Sequence, residues 1–441
     1  MYVDLYLDIC YNRLNIIVLQ ASGWGEDVKI NYKRLKSACY TANISMSVIT
    51  NLSPLLFLTF RNLYGISYSL LGLLVLINFC TQLSVDLCFS FFSHKFNIPI
   101  SVKITPLLAT VGLSVYAISP FLFPNSVYIG LVIGTVIFSA SGGLAEVLIS
   151  PVIAEIPAKD PDREMSKLHS VYAWGVVFVV LFSTLFLFLL GEERWYWLPL
   201  TLSIVPLISF VLYLKVDIPV MKTAEKISVT KGMFRCGGVW LLVFAIFLGG
   251  AAECTMGQWC SSYIEGALGI SKIWGDIFGV AVFSVALGFG RTLYSKIGKN
   301  IEKVLFFGAI GTTICYLIAA LTSISYVGLA ACAITGFFVS MLWPGTLIVA
   351  SDRYKSSGVI IFALMAAGGD FGASVGPQLV GVVTDAVMKN SMAIEIAEKL
   401  SITIEQLGMK CGMLVGMIFS LAAIIVYAII LGGLSKKKAE E

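Results

Sequence analysis

The chain has 441 residues, 58% of them hydrophobic and 13% charged, and its mean hydropathy is +0.90. Soluble domains carry about a quarter charged residues, so this sequence has no water-facing surface to offer and reads as an integral membrane protein. Two His, and no His/Cys cluster at ligand spacing, exclude a zinc or haem enzyme, so neither metal nor cofactor is expected. The net charge of +4 comes from basic residues dispersed in short clusters, which excludes a nucleic-acid-binding face. Ten Cys lie scattered, mostly within apolar runs, as small hydrophobes rather than a disulfide framework.

A helix crosses the hydrocarbon core with about 20 apolar residues. Twelve runs meet that length approximately: 37–60, 68–92, 104–122, 127–153, 166–190, 195–215, 237–262, 274–294, 302–323, 326–350, 357–386 and 411–434. A β-barrel would show alternating segments of about ten residues instead. The fold class is therefore all-α membrane, with twelve transmembrane helices.

Lys and Arg in the connections set the orientation. With the first helix starting inside, the inner side holds 22 of them from residue 33 onward and the outer side 6. Both termini are therefore expected in the cytoplasm, in agreement with an even number of spans. Residues 1–32 stand apart. Asp4 and Asp8 occupy what would be the basic start of a signal peptide, and Ile16–Ala21 is too short to span. Two readings stand for this stretch: an interfacial segment, or upstream sequence preceding initiation near Val28.

Three matches in order point to an internal repeat. Tyr64-Gly65-Ile66-Ser67 and Leu268-Gly269-Ile270-Ser271 stand 204 residues apart, and Lys95 and Lys299 repeat that offset. Gly143 and Gly336, 193 apart, each precede a Pro by eight residues (Pro151 and Pro344). The expected organisation is an extension at 1–32, six-helix halves at 33–215 and 237–434, a cytoplasmic linker at 216–236 and a basic tail at 435–441. Six spans return the chain to its starting side, so the two halves run parallel. In the long connection 387–410, Ile394, Ala397, Leu400 and Leu407 predict a short amphipathic helix on the outer face.

Two parallel six-helix halves with a basic central loop and both ends inside resemble the major facilitator superfamily. Within it, Gly143-x-x-Glu146-x-x-x-x-Pro151 is similar to the fourth helix of the fucose-permease type of sugar–proton symporters. The resemblance implies alternating access, with spans one, four, seven and ten around a central cavity. Those symporters have a carboxylate in the first span, whereas Ile49-Thr50-Asn51-Leu52-Ser53-Pro54-Leu55-Leu56 contains none, and the superfamily's loop signature is reduced to Lys95 and Gly298-Lys299.

Carboxylates in mid-membrane are costly and usually functional. Glu146, Glu253 and Asp370 lie inside apolar spans and are the proton-coupling candidates, together with His169 at the start of the fifth span. Glu146 shares a helix stripe with Ser139, Gly142, Gly143 and Ser150; a protonated Glu bonded between helices is the structural alternative. Asn51, Glu146, Gln258, Trp259 and Trp343 are the substrate-binding candidates, since aromatic faces and polar groups together suit a carbohydrate. Asp86 and Arg291, at pseudo-equivalent positions of the second and eighth spans, are candidates for a cytoplasmic gate.

The function expected is secondary active transport of a small polar solute, sugar-like by resemblance and coupled to protons as symport. The protein would be a monomer in the cytoplasmic membrane. Export of amphipathic compounds on the same fold is the alternative, and a non-transporting sensor the reading from another class. No Walker A motif appears, and no enzyme is expected.

Overall fold

A computed structural model describes residues 31–92, 95–157, 161–219, 236–354 and 358–437. Residues 1–30 and most of the expected linker lie outside the described residues. Everything described is helix or connection. Eleven helices are long and apolar enough to cross a membrane, and twelve if a bent pair counts as one span.

Taken as twelve spans, the chain runs α1 (Tyr32–Leu55 continued by Phe57–Tyr64), α2 (Tyr68–Phe92), α3 (Ile98–Leu122), α4 (Val127–Ala154), α5 (Pro161–Leu190) and α6 (Trp197–Leu202 with Ile204–Leu214). There follow α7 (Gly237–Gly266), α8 (Lys272–Gly275, a π-helical turn Asp276–Ala281, and Val282–Ile297), α9 (Ile301–Leu321), α10 (Ser325–Val339 with Leu342–Arg353), α11 (Gly358–Met388) and α12 (Ile404–Lys437). α1 bends by 44° just after Pro54, where proline removes a backbone donor and crowds the preceding turn.

The repeated Gly-Ile-Ser has a local explanation. Gly65 and Gly269 both adopt the left-handed region, with φ of 64° and 66°. That conformation ends α1 and α7 at no Cβ penalty. Two residues on, the Ser67 hydroxyl accepts from the backbone N–H of Leu70 at 3.3 Å and caps the start of α2. The second repeat sits at the level of packing. A Cβ on Gly143 would meet the Gln82 carbonyl oxygen at 2.7 Å, and one on Gly336 the Phe283 carbonyl oxygen at 2.1 Å. Fourth and second spans therefore touch backbone to backbone in each half, as small residues permit inside a bilayer.

Some helix ends differ from the sequence expectation. α3 begins at Ile98, where Asn97 accepts from Ile100 N–H at 3.2 Å, rather than at 104. α12 begins at Ile404 rather than 411, and runs to Lys437 into the expected tail. Hydropathy stops at a charge; the helix continues because the charge finds partners. Lys410 Nζ reaches the Thr322 and Ala320 carbonyl oxygens at the end of α9, at 2.6 and 3.3 Å, where the helix dipole favours a cation. The outer helix Ser391–Lys399 forms where expected. Only Ala397 of its apolar residues is buried, while Ile394 and Leu400 stay exposed.

The bundle is closed at its outer ends. Arg61 on α1 pairs with Glu405 on α12 at 2.7 Å, and Tyr68 donates to the same carboxylate at 2.5 Å. Asp385 on α11 accepts the backbone N–H groups of Tyr68 and Ser69, at 3.1 and 2.7 Å. Those are orphan donors at the N-terminus of α2, satisfied from the other half of the molecule. Thr184 on α5 donates to Asp276 on α8 at 2.7 Å. Toward the ends that the charge count assigns to the cytoplasm, the halves instead frame a cavity.

Candidate functional site

α2 and α4 are zipped by buried polar groups. Asn78 Oδ1 accepts from Gln82 Nε2 at 2.8 Å and from Ser139 Oγ at 2.6 Å. Gly142 and Gly143 leave α4 no side chain there, so the Gln82 side chain and the Asp86 carboxylate lie against its backbone. Glu146 follows Gly143 by three residues and shares its face. Close packing thus carries Glu146 to Asp86.

α11 completes the site from the other half. Gly369 lies against the Trp343 ring of α10, and Gly372 against the Phe247 carbonyl oxygen of α7. With α11 held this tightly, Asp370 is left facing inward at 7% exposure.

Asp86, Glu146 and Asp370 line one cavity of about 150 Å³, whose remaining walls are Leu83, Leu87, Val147, Ala366 and Ala367. Glu146 is solvent-exposed although it lies within a span, because its solvent is the cavity. At 1.5 Å per residue, Asp86 and Glu146 stand about 9 and 12 Å from the inner ends of their helices, and Asp370 about 18 Å. Among the described residues, no Lys, Arg or His lines the cavity. One buried oxygen of Asp86 has no hydrogen-bond partner among the described residues. Among those residues no three His, Cys, Asp or Glu side chains are placed to hold a metal ion.

The other residues singled out in the sequence fall elsewhere. Glu253 on α7 pairs with Arg291 on α8 at 2.9 Å, and Arg291 Nε also donates to the Ser340 carbonyl oxygen at 3.1 Å, where α10 is interrupted. Arg291 thus bonds within its own half, and Asp86 faces the cavity. The second Glu253 oxygen is buried without a partner. Trp343 lies beside Asp370, packed on Gly369 and Gly250.

Trp259 belongs to the outer closure instead of the cavity wall. It is 1% exposed, donates to the Pro377 carbonyl oxygen at 2.9 Å, and packs on Phe57 with ring centroids 5.1 Å apart. Gln258 joins the same seam through the Thr50 carbonyl oxygen at 3.4 Å. Asn51 Nδ2 donates to the Ser47 carbonyl oxygen of its own helix at 2.9 Å. The side chain of His169 lies outside the described residues.

Arg61, Asp276, Asp385 and Glu405 were not singled out by the sequence reading. Asp276 is fully buried, bonded to Thr184 and Ser261 and 3.6 Å from Lys272 Nζ. Its signal was available: an acidic residue two positions into the apolar run 274–294.

The family model of the Major Facilitator Superfamily matches residues 38–377. The chain belongs to that superfamily. Comparison with curated proteins gives no match. Solved structures with the same fold include a bacterial homologue of the human lysosomal transporter Spinster, inward-facing and occupied. Its TM-score is 0.68 at 14% identity, covering 90% of this chain and 96% of that one. A D-xylose–proton symporter aligns with TM-score 0.63 at 16% identity, over 88% and 95% of the two chains. The E. coli fucose:proton symporter aligns with TM-score 0.54 at 14% identity, over 88% and 98%. As a superfamily member, the chain is a multi-pass membrane transporter rather than an enzyme.

Proposed function

We propose that this chain is a proton-coupled secondary transporter that moves a small polar solute across the cytoplasmic membrane by alternating access. Protons are carried on Asp86, Glu146 and Asp370. One observation carries the reading: carboxylates from both halves converge, without a basic partner among the described residues, on a cavity at the inner ends of a bundle closed outside. Placing several negative charges in a low-dielectric site is costly, and a proton removes one of them. Protonation therefore changes the repulsion across the gap that closes and opens in alternating access. The D-xylose–proton and fucose:proton symporters that share the fold support a sugar-sized solute and symport as the sense of coupling. The monomer is the transporting unit in this reading, since the cavity is built from one chain.

The test uses purified protein in proteoliposomes containing a pH-sensitive dye, with solutes added singly outside. Acidification of the lumen on adding one solute, absent from protein-free vesicles, is the expected result. Uptake of that solute with no proton movement would contradict the proposal, and lumenal alkalinisation would replace symport by exchange.

A further inference from the structure

The cavity that serves as the transport site in the reading above also constrains the charge of what it holds. Among the described residues that line it, the three polar side chains are all carboxyl groups and the others are aliphatic. Asp370 is buried to 7% exposure. It has no hydrogen bond or ion pair among the described residues, and it points into the cavity. A buried acceptor is costly to leave unmade, and a charged one more so. The missing partner must be a donor, and the described residues of the walls supply none. Arg291 on α8 is already engaged by Glu253 and the Ser340 carbonyl oxygen.

The carboxyl groups are not grouped for a single metal ion, and about 150 Å³ is room for a body of several heavy atoms rather than one ion. A neutral polyol would set its hydroxyls against Leu83, Val147 and Ala367 while leaving the carboxylates without a counter-charge. A protonated amine presents up to three N–H donors and makes charge-assisted bonds to carboxylates, while a short alkyl body covers the aliphatic walls. We infer that the cavity binds an organic cation, a protonated primary amine on a short apolar body. This rests on the reading of the cavity as the transport site and replaces the neutral sugar by a cationic solute.

The experiment is calorimetric titration of the purified full-length protein at pH 8 with 1,4-diaminobutane, n-butylamine, 1-butanol and glucose. The first three are alike in size and differ in charge. Affinity is expected to fall from the diamine to the monoamine, with no binding of 1-butanol or glucose. Asp370→Asn should weaken n-butylamine about 10- to 100-fold, the value of a buried charge-assisted hydrogen bond. Asp370→Glu, which keeps the charge, should retain most of the affinity and separates a lost contact from a lost fold. Binding of 1-butanol or glucose as tight as that of the amines would overturn the inference, as would amine binding unchanged in Asp370→Asn. Proton flux with a neutral solute alone would sink the amine and leave the transporter standing. Amine binding with no proton flux for any solute would do the reverse.

Discussion

Burying a carboxylate costs several kcal/mol in lost hydration, and the chain meets that cost in two ways. Glu253 and Asp276 are paired with Arg291 and Lys272, whereas Asp86, Glu146 and Asp370 share a cavity that no base among the described residues lines. The first arrangement fixes helices; the second is free to exchange a proton or a cation. Glu164, outside the apolar part of α5, shows the fully paired limit. It binds Lys167 at 2.8 Å and Lys36 at 3.0 Å, and accepts from Tyr40 at 3.0 Å. Those bonds, from Lys167 first, hold its carboxyl down at about 2. A depressed folded pKa stabilises above the unfolded value and is lost as pH falls through the folded one. Glu164→Gln should therefore lower the melting temperature slightly and by the same amount from pH 8 to 5. The difference should shrink below about 4.5, the unfolded value; a difference that vanished already near pH 6 would contradict the assignment. Glu146 and Asp370 were legible in the sequence because a charge inside an apolar run is conspicuous. Asp385 and Glu405 were not, because charges near span ends are ordinary and only tertiary contact gives these two a role.

Elements lie where glycine lets them approach. Gly143→Ala forces a Cβ to 2.7 Å from the Gln82 carbonyl oxygen, an overpacking that costs about 1–3 kcal/mol. It should lower the melting temperature and reduce transport by moving Glu146 relative to Asp86. Gly288→Ala on α8, where a new Cβ meets nothing within 4 Å, is the matched control and should stabilise by about 0.5–1 kcal/mol. Equal effects of the two would show that helix propensity, not contact, governs both sites. The number and order of spans were readable from hydropathy alone, and the Gly-Ile-Ser repeat from spacing. Helix ends were not, since Lys410 counts against a span until the α9 carbonyls that receive it are known.

At the scale of the molecule, two halves meet outside and part inside. The seam joins Asp385 to the start of α2, Glu405 to Arg61 and Tyr68, and Asp276 to Thr184. An anion at a helix N-terminus contributes about 0.3–1 kcal/mol when exposed and up to about 2 when partly buried. Asp385→Asn should therefore speed hydrogen exchange of the Tyr68 and Ser69 amides several-fold and shift the population toward outward-open. Unchanged exchange there would mean that the seam is held by Trp259 packing alone. Which halves touch, and where, was beyond the sequence, because the offset of 204 residues relates like to like and says nothing of the contact across the pseudo-axis.

The most direct test of proton carriage by the cavity carboxylates compares two modes of transport in Glu146→Gln and Asp370→Asn proteoliposomes. Solute exchange at equal concentrations needs only alternating access, whereas accumulation against a gradient needs the proton. Accumulation driven by a pH gradient is expected to fall about 10- to 100-fold, within the range of energetic coupling between sites, while exchange measured at solute concentrations that saturate each variant continues near the wild-type rate. Full proton-driven accumulation in both variants would contradict the central claim.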